Sequence, residues 1–432
     1  MTTVLLVFLG LLLVFFIAGF AVPYAIGVTS VVALAVQRGV TNMPVEMIAQ
    51  RLVYGVNNFT ILAIPFFLLA GKLMNTGGIT RRIFRFANIL VGYLPGGLGH
   101  ANIVASMIFA GMSGSAVADA AGLGTIEVEA MLEHGYDRDF SAAVTAASST
   151  IGPIIPPSIP LVMYGVMGNV SVSALLIGGL VPGILMGASL MAMVAWYAFR
   201  RKWPREKVPS LSEFWKGFKE AFWPLLTPAI LVGGILSGIF TPTEASAVCV
   251  AYALILCVVV YREVGLTELY RVLVETVKET AVILFIIAAA SLYGWLLIRS
   301  QIPMFLAEEV FAISRNPLVI LLILNLFFIA VGCFMESLAA ITILTPVLVP
   351  LAMRVGIDPL HLGLVMVLNL MIGLLTPPVG MCLYAVSRVA KIPFERMVRV
   401  VLPFYVPLFF VLLLITVFPK LVTVLPAMVL GR

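Results

Sequence analysis

The stretch Ile151–Ile159, "IGPIIPPSI", lies in a segment apolar enough to cross a bilayer, yet it contains three prolines and a glycine. Proline removes a helix hydrogen-bond donor and clashes with the preceding turn, at a cost of roughly 3 kcal/mol in a helix interior. Hydrocarbon cannot solvate the carbonyls that such a break frees, so the broken backbone must be buried in protein or line a cavity. The stretch therefore predicts an interrupted helix, with a simple packing kink as the alternative.

The composition is that of a membrane protein. Hydrophobic residues make up 62% of the 432 residues and charged residues 11%, against about 25% charged in soluble domains. Because one span needs about 20 apolar residues, the long apolar runs predict an all-α polytopic fold with about ten to twelve crossings, some of them discontinuous. The first run, which starts near Val4, has no basic segment before it and is interpreted as a retained span, not a signal peptide.

Charge and motif patterns exclude several classes of protein. The net charge of +6 indicates loops that stay in the cytoplasm, not a nucleic-acid surface. The four cysteines stand singly in apolar segments, so neither a disulfide framework nor a thiolate zinc site is predicted. The sequence contains no HExxH and no GxxxxGK[ST], which excludes a zinc metalloprotease of that type and a phosphate-binding loop for ATP.

The chain contains two copies of one unit. A single constant offset aligns glycines, aspartates and both double prolines without a gap, and nearby offsets extend the match toward the termini. The repeat divides the chain into a first half, residues 1–199, and a second half, residues 220–432, joined by residues 200–219. The aligned pairs are Gly111 with Gly332, Gly135 with Gly356, Asp137 with Asp358, Ile151 with Ile372, Gly152 with Gly373, Pro156 with Pro377 and Pro157 with Pro378.

Basic clusters change places between the halves. The joining segment, "RRKWPREKVPSLSEFWKGFK", is strongly basic and rich in aromatics, which predicts a cytoplasmic, amphipathic linker on the membrane surface. Arg81–Arg85 is basic where the matching "QIPMFLA" is not, and Arg388–Arg399 is basic where the matching "MGNVSVSALL" is not. Copies with exchanged clusters have opposite orientations, so an inverted-topology repeat with the N-terminus outside is expected, as in secondary transporters.

The two breaks, Ser149–Ser158 and Leu370–Gly380, offer oxygen ligands at symmetric positions. Carbonyls left unpaired at such breaks coordinate cations in transporters, and half-helix N-termini face anions. With nearby hydroxyls and an amide they would form an all-oxygen site for a hard cation such as Na⁺. The side chains concerned are those of Ser148, Ser149, Thr150, Asn369 and Thr376.

A small-residue segment precedes each break and contains an acid. "GMSGSAVADAAGLG" (111–124) contains Asp119, and "GCFMESLAAITILTP" (332–346) contains Glu336. Acidic residues at membrane depth are costly and usually have a functional role. Both segments are therefore interpreted as tips of re-entrant helical hairpins. A local cap for exposed amides is the alternative for each acid. The stretch Glu127–Phe140 is interpreted as a solvated face, including His134, Asp137 and Asp139.

"GMSG" also matches the signature of intramembrane serine proteases, in which a serine works with a histidine on another span. The sequence has three histidines, of which His134 lies in a charged loop, and the repeat partner of Ser113 is Phe334. A protease is therefore the remote alternative, and no enzyme activity is predicted.

At these residues the sequence resembles the large membrane subunit of tripartite ATP-independent periplasmic (TRAP) transporters, the DctM-like family of the ion-transporter superfamily. The resemblance rests on "GMSGSAVADAAGLGTIEVEAM", "GYDRDFSAAVTAASSTIGPIIPPSIPLVMYG", "GIFTPTEASA" and "GLLTPPVG", and it covers essentially the whole chain. It implies a multi-pass protein of the bacterial inner membrane that works with a periplasmic substrate-binding protein and a small four-span membrane subunit.

The resemblance further implies Na⁺-driven import of a small organic acid, such as a dicarboxylate, keto acid, sugar acid or sialic acid, with no organic cofactor. The two hairpins and two discontinuous helices would form an elevator-type transport domain on a scaffold. A stand-alone sodium/dicarboxylate-type symporter of the same superfamily is the main alternative. The residues implied near Na⁺ are Ser113, Gly114, Ser115, Ser149, Gly152, Pro156, Gly332, Ser337, Asn369, Gly373, Thr376 and Pro377. The residues assigned to substrate or coupling are Asp119, Glu336, Ser148, Thr150 and Ser158.

Overall fold

The computed structural model describes residues 10–12, 14–15, 18–201, 203 and 207–431. Throughout those residues the regular structure is helical, and they contain no strand. The helices of the first half are α1 Val22–Arg38, α2 Val45–Val56, α3 Ala63–Thr76, α4 Ile79–Val91, α5 Gly97–Ser113, α6 Ala116–Ala121, α7 Leu123–Glu133, α8 Arg138–Ser149, α9 Ile159–Gly168 and α10 Val172–Arg201.

The second half continues with a comparable series. Its helices are α11 Leu211–Leu236, α12 Pro242–Leu254, α13 Leu266–Arg299, α14 Ile302–Ile313, α15 Pro317–Gly332, α16 Ser337–Arg354, α17 Pro359–Gly373, α18 Met381–Ala390, α19 Phe394–Val401, α20 Tyr405–Val417 and α21 Lys420–Leu430. Short 3₁₀ turns lie at Val40–Asn42, Phe59–Leu62 and Leu402–Phe404, and a π-helical turn lies at Ile255–Val260.

Seven helical segments of the described chain are long and apolar enough to cross a membrane. A further seven apolar helices are shorter, and they include α9 after the first double proline and both α17 and α18 around the second. The ten to twelve crossings expected from the sequence stay a prediction, because length and composition alone identify candidate spans. The seven longer segments are Phe59–Thr76, Val172–Arg201, Leu211–Leu236, Pro242–Val260, Leu266–Arg299, Ser337–Arg354 and Phe394–Val417.

Helix starts follow from side chains that satisfy the first free amides. Asp137 accepts a hydrogen bond from the Asp139 amide before α8, and its repeat partner Asp358 accepts one from the Leu360 amide before α17. The same local chemistry therefore begins the helix that leads into each break.

The linker of residues 200–219 is largely absorbed into helices. Helix α10 extends to Arg201, and α11 begins at Leu211 behind a reciprocal cap between Ser210 and Glu213. Phe214 of α11 packs 6.3 Å, between ring centroids, from Phe86 of α4. The start of α11 is therefore attached to the first half.

The two halves interlock at their broken helices. Helix α9, which follows the first break, packs on α16 of the second half, and α18, which follows the second break, packs on α6 and α8 of the first half. Helix α13 contains 34 residues, so it is about 51 Å long. It packs against α1, α2, α3 and α16, and thereby forms one wall of the space between the halves.

Ion pairs gather the basic segments at one end of the molecule. Arg85 of α4 pairs with Glu220 of α11 at 2.9 Å. At the other end of the linker Arg201 pairs with Asp137 at 2.9 Å, and the neighbouring Asp139 pairs with Arg396 at 2.8 Å.

Candidate functional site

The first break separates α8, which ends at Ser149, from α9, which begins at Ile159. The intervening residues 150–158 form irregular turns that include a cis peptide bond between Pro156 and Pro157. Ser158 caps α9 by accepting a hydrogen bond from the Leu161 amide at 3.1 Å, and its own hydroxyl donates to the Pro153 carbonyl. The helix is interrupted and not merely kinked at this point.

The second break has the same form. Helix α17 ends at Gly373, residues 374–380 are irregular with a cis bond between Pro377 and Pro378, and α18 begins at Met381. Gly380 adopts a positive φ of 57° before α18, a conformation that favours glycine.

Each hairpin tip lies directly against the break of its own half. In the first hairpin (α5–α7), a β-carbon on Gly114 would stand 2.7 Å from the Pro157 carbonyl oxygen. In the second hairpin (α15–α16), the Cys333 carbonyl accepts a hydrogen bond from the Val379 amide at 3.2 Å. Residues near 114 and 333 and the two double prolines therefore form two symmetric tip-and-break units.

An asparagine on the first arm of each hairpin is hydrogen-bonded to a residue near the end of the helix that leads into the break. The Ser148 hydroxyl donates to Asn102 Oδ1 at 2.7 Å, and Asn369 Nδ2 donates to Asn325 Oδ1 at 3.0 Å. Ser148 and Asn369 are repeat partners, and each is joined to an asparagine of its own hairpin. Asn369 Oδ1 is buried and has no hydrogen-bond partner among the described residues, which leaves one amide oxygen available to a ligand.

The two hairpin acids differ in what they do. Glu336 caps α16 by accepting a hydrogen bond from the Ala339 amide at 3.2 Å, which is the local-cap alternative considered for it. Asp119 is not the cap of α6, because Ser115 occupies that position. Asp119 is 2% exposed, and its Oδ2 lies against Gly152 in the break so closely that a β-carbon there would clash with it.

A cavity of about 430 Å³ lies between the two hairpin tips. One wall comes from Gly114 and Ser115, another from Glu336 and Ser337, and a third from α13. A volume in the range of small-molecule sites, with several polar groups converging on it, is the usual form of a binding site.

Charged residues on the α13 wall were missed by the sequence reasoning. Lys278 and Glu279 line the cavity. Glu279 forms an ion pair with Lys72 of α3, at 2.7 Å between the carboxylate oxygen and Nζ. The uninterrupted apolar run that predicts this span begins only at Ala281. The signal was present in "ETVKET" (275–280), where a charged face continues directly into the apolar part of the helix.

One interpretation of the stretch Glu127–Phe140 was wrong at its first residue. Glu127 is 1% exposed, so it does not belong to a solvated face. It lies on the side of α7 that carries Leu123 and Met131, one turn away in each direction, and this helical spacing directs it into the hairpin core. His134 and Asp137 are exposed and Asp139 is half-buried, and the two aspartates make ion pairs.

The structure places the predicted site residues in two groups. The side chain of Ser113 lies outside the described residues, whereas Gly114, Ser115, Glu336 and Ser337 line the cavity. The others surround the breaks and are not part of the cavity lining. That second group consists of Ser148, Ser149, Thr150, Gly152, Pro156, Ser158, Asp119, Gly332, Asn369, Gly373, Thr376 and Pro377.

The helices and the paired tip-and-break units define a multi-pass helical membrane protein. Residues 9–421 match the family model described as tripartite ATP-independent periplasmic transporter, DctM component. The chain belongs to this TRAP transporter family.

Two relatives agree with the family assignment. The sialic acid TRAP transporter large permease protein SiaM of Vibrio cholerae is 50% identical over 400 residues, 93% of this chain and 94% of that protein. The sialic acid TRAP transporter permease protein SiaT of Haemophilus influenzae is 43% identical over 382 residues, 88% of this chain and 62% of that protein. The chain is therefore a transport permease and not an enzyme, and the protease alternative is discarded.

A solved structure supports the fold alone. The crystal structure of the Alcanivorax borkumensis YdaH transporter, described as having an unusual topology, superposes with a TM-score of 0.61 at 14% identity. The match covers 87% of this chain and 89% of that one.

Proposed function

We propose that the protein is the large permease subunit of a sodium-driven, binding-protein-dependent transporter that imports a small organic acid across the bacterial inner membrane. The family match over residues 9–421 carries this proposal. The cavity between the two hairpin tips is the proposed place of the cargo, because secondary transporters hold substrate between their repeats.

The proposed partners are a periplasmic substrate-binding protein and a small four-span membrane subunit. The chain covers 62% of the Haemophilus permease but 94% of the Vibrio large permease. The longer relative therefore contains a part with no counterpart in the matched region, as expected if a second membrane subunit is fused to it. A binding protein would deliver the cargo to this pair.

Among organic acids, we propose sialic acid as the first cargo to test. Two relatives at 50% and 43% identity are sialic acid permeases by name. If sialic acid is not transported, a dicarboxylate, a keto acid or another sugar acid is the next cargo to test.

Sodium coupling is proposed at the two breaks. Within the part of the chain that the structure describes, buried Asn369 Oδ1 has no hydrogen-bond partner. Ser149 and Thr376 each donate their hydroxyl proton to a helix carbonyl, at 2.8 Å and 2.9 Å, which leaves lone pairs of both oxygens for a cation. Oxygen ligands of this kind suit a hard cation. Each positive charge carried inward contributes roughly 2.3 kcal/mol per 100 mV, which favours import of an anion.

The proposed motion is an elevator movement. Both hairpins and both broken helices pack on one another across the halves, as a unit that moves together would require. Helix α13 and its neighbours α1 to α3 would form the fixed scaffold, with Lys278 and Glu279 facing the moving unit.

Uptake by proteoliposomes tests the proposed function. The chain is reconstituted with its small subunit, a sialic acid binding protein and an inward Na⁺ gradient. We expect uptake of labelled sialic acid that requires both the binding protein and Na⁺. Uptake by the chain alone without a binding protein would instead establish the stand-alone symporter, and no uptake of any organic acid would contradict the proposal.

The sodium assignment has its own test in the same liposomes. Ser149→Ala or Thr376→Ala removes one oxygen ligand, so the Na⁺ concentration for half-maximal uptake should rise about tenfold, the factor for about 1.4 kcal/mol. Ser212→Ala, at an exposed linker position, is the matched control. Unchanged Na⁺ dependence in both variants would remove these residues from the site.

A further inference from the structure

A second cavity, of about 730 Å³, lies where the linker meets the first half. It is separate from the cavity between the hairpin tips and is lined by α4 and the α3–α4 turn, by α11 and by the loop that follows the π-helical turn. Four basic side chains line it, against two acids. The basic residues are Arg81, Arg82, Arg85 and Lys219, and the acids are Glu220 and Glu263.

Arg82 is held in a fixed position at this cavity. Its guanidinium donates to Glu263 at 2.6 Å and to the Gly78 carbonyl at 3.0 Å. It also lies over the ring of Tyr261, 3.9 Å from the centroid. A guanidinium that is already oriented loses little conformational freedom when it binds an anion.

The other basic residues leave an excess of positive charge. Arg85 is neutralised by Glu220 at 2.9 Å, as Arg82 is by Glu263. Arg81 and Lys219 are exposed and have no carboxylate partner within the described part of the chain. Two positive charges therefore face the cavity without a counter-ion from the protein.

The surroundings place this cavity at the level of lipid headgroups. Trp223 lines it and is 48% exposed, and the adjacent Phe222 is 37% exposed. Both belong to α11, which changes here from a charged start to an apolar candidate span. Exposed Trp at such a transition marks the interface between membrane and water.

We propose that this cavity binds the phosphate group of an anionic phospholipid of the leaflet that faces the basic linker. Arginine forks match phosphate oxygens in pairs, and basic pockets between spanning helices on the cytoplasmic side bind anionic headgroups such as cardiolipin. The lipid would join the first half, through α4, to the start of the second half, through α11. A soluble phosphate compound shares this chemistry, and the experiment below separates the two sources.

Lipid-dependent thermal stability of the purified full-length chain tests the proposal. Phosphatidylglycerol or cardiolipin added to the detergent-purified protein should raise its Tm, and phosphatidylcholine should not. In the double variant Arg81→Ala/Lys219→Ala the anionic-lipid affinity should fall about 30-fold, since each basic side chain at an anionic surface accounts for a factor of several. Native mass spectrometry of both proteins gives a second readout, as retained lipid per chain.

The matched control is Lys207→Ala/Lys216→Ala, which removes the same charge from exposed linker positions outside the cavity. This control should keep the wild-type response to anionic lipid. An equal loss in both double variants, or equal stabilisation by phosphatidylcholine, would overturn the proposal. If inorganic phosphate alone raises the Tm as much as anionic lipid does, and the effect is lost in the Arg81→Ala/Lys219→Ala variant, the lipid proposal is overturned. That result would assign a soluble phosphate compound to the site.

Discussion

At Gly373 the last turn of α17 meets the second hairpin at backbone distance. A β-carbon on Gly373 would lie 2.6 Å from Gly332 Cα and 2.7 Å from its carbonyl carbon. A flexible side chain could change rotamer to relieve such a clash, but backbone atoms cannot. Only glycine therefore fits at this contact. In the first half the repeat partner Gly152 approaches the Asp119 carboxylate of the hairpin instead, so hairpin and break lie close together in each half through different groups.

We expect Gly373→Ala to destabilise the protein by about 2 kcal/mol, the usual cost of an added methyl group in a tightly packed place. The measurement is the midpoint of thermal unfolding in detergent, together with uptake in liposomes. Gly233→Ala is the control, because no atom of the described residues lies within 4 Å of a β-carbon there, and its Tm should stay equal or rise slightly. If both variants unfold at the wild-type temperature, the close contact is not formed in solution.

At the scale of elements, buried amides hold the broken helices to the hairpins. Asn325 of α15 accepts a hydrogen bond from Asn369 of α17 and donates one to Thr416 of α20 at 2.9 Å. In the first half Asn102 of α5 accepts from Ser148 of α8 and donates to Thr145 at 2.7 Å. Each asparagine thus connects the helix before the break to the hairpin arm. Where no water is present, no water molecule competes for these donors and acceptors.

A double-mutant cycle measures the second-half connection. Asn325→Ala, Asn369→Ala and the double variant should show a coupling energy of about 1 kcal/mol, near the values found for hydrogen bonds between membrane helices. Thermal or denaturant unfolding of the four proteins supplies the free energies. The pair Asn325→Ala and Thr345→Ala serves as the control, since Thr345 bonds within its own helix, and its effects should add. A coupling no larger than in the control pair would mean that this hydrogen bond does not connect the two elements.

At the scale of the whole molecule, ion pairs connect the basic segments of both halves at one end. Arg85 pairs with Glu220, the first residue after the linker, and Arg201 at the start of the linker pairs with Asp137. Asp139 pairs with Arg396. The arrangement agrees with a common cytoplasmic side for these clusters. Asp358 is the repeat partner of Asp137, so an inverted repeat requires it to face the other side.

Single cysteines at Arg81, Arg388 and Asp358 test this topology, because all three positions are exposed. In cells, an impermeant maleimide should label Asp358→Cys from outside and should reach Arg81→Cys and Arg388→Cys only after permeabilisation. The native cysteines Cys249, Cys257, Cys333 and Cys382 are buried, and the unsubstituted chain gives their background. Labelling of Arg81→Cys and Arg388→Cys from opposite sides would contradict the inverted repeat.

The positions of both breaks and of the helices leading into them were predictable from the sequence. Double prolines and their flanking glycines act on the chain locally, and Asp137 and Asp358 cap the following helices through amides two residues away. The family was equally accessible, because its motifs are long and contiguous. These features depend on neighbouring residues, so one sequence contains what is needed to find them.

The composition of the cavity depended on the tertiary structure. Lys278 and Glu279 face the hairpin tips only because α13 packs between α3 and α16, and Ser149 and Asn369 lie behind that cavity and not in its wall. Glu127 looked solvated in a charged stretch, yet the packing of α7 inside the hairpin buries it. Local chemistry determines where a chain turns or breaks, whereas contacts between residues hundreds of positions apart decide which side chains share a site.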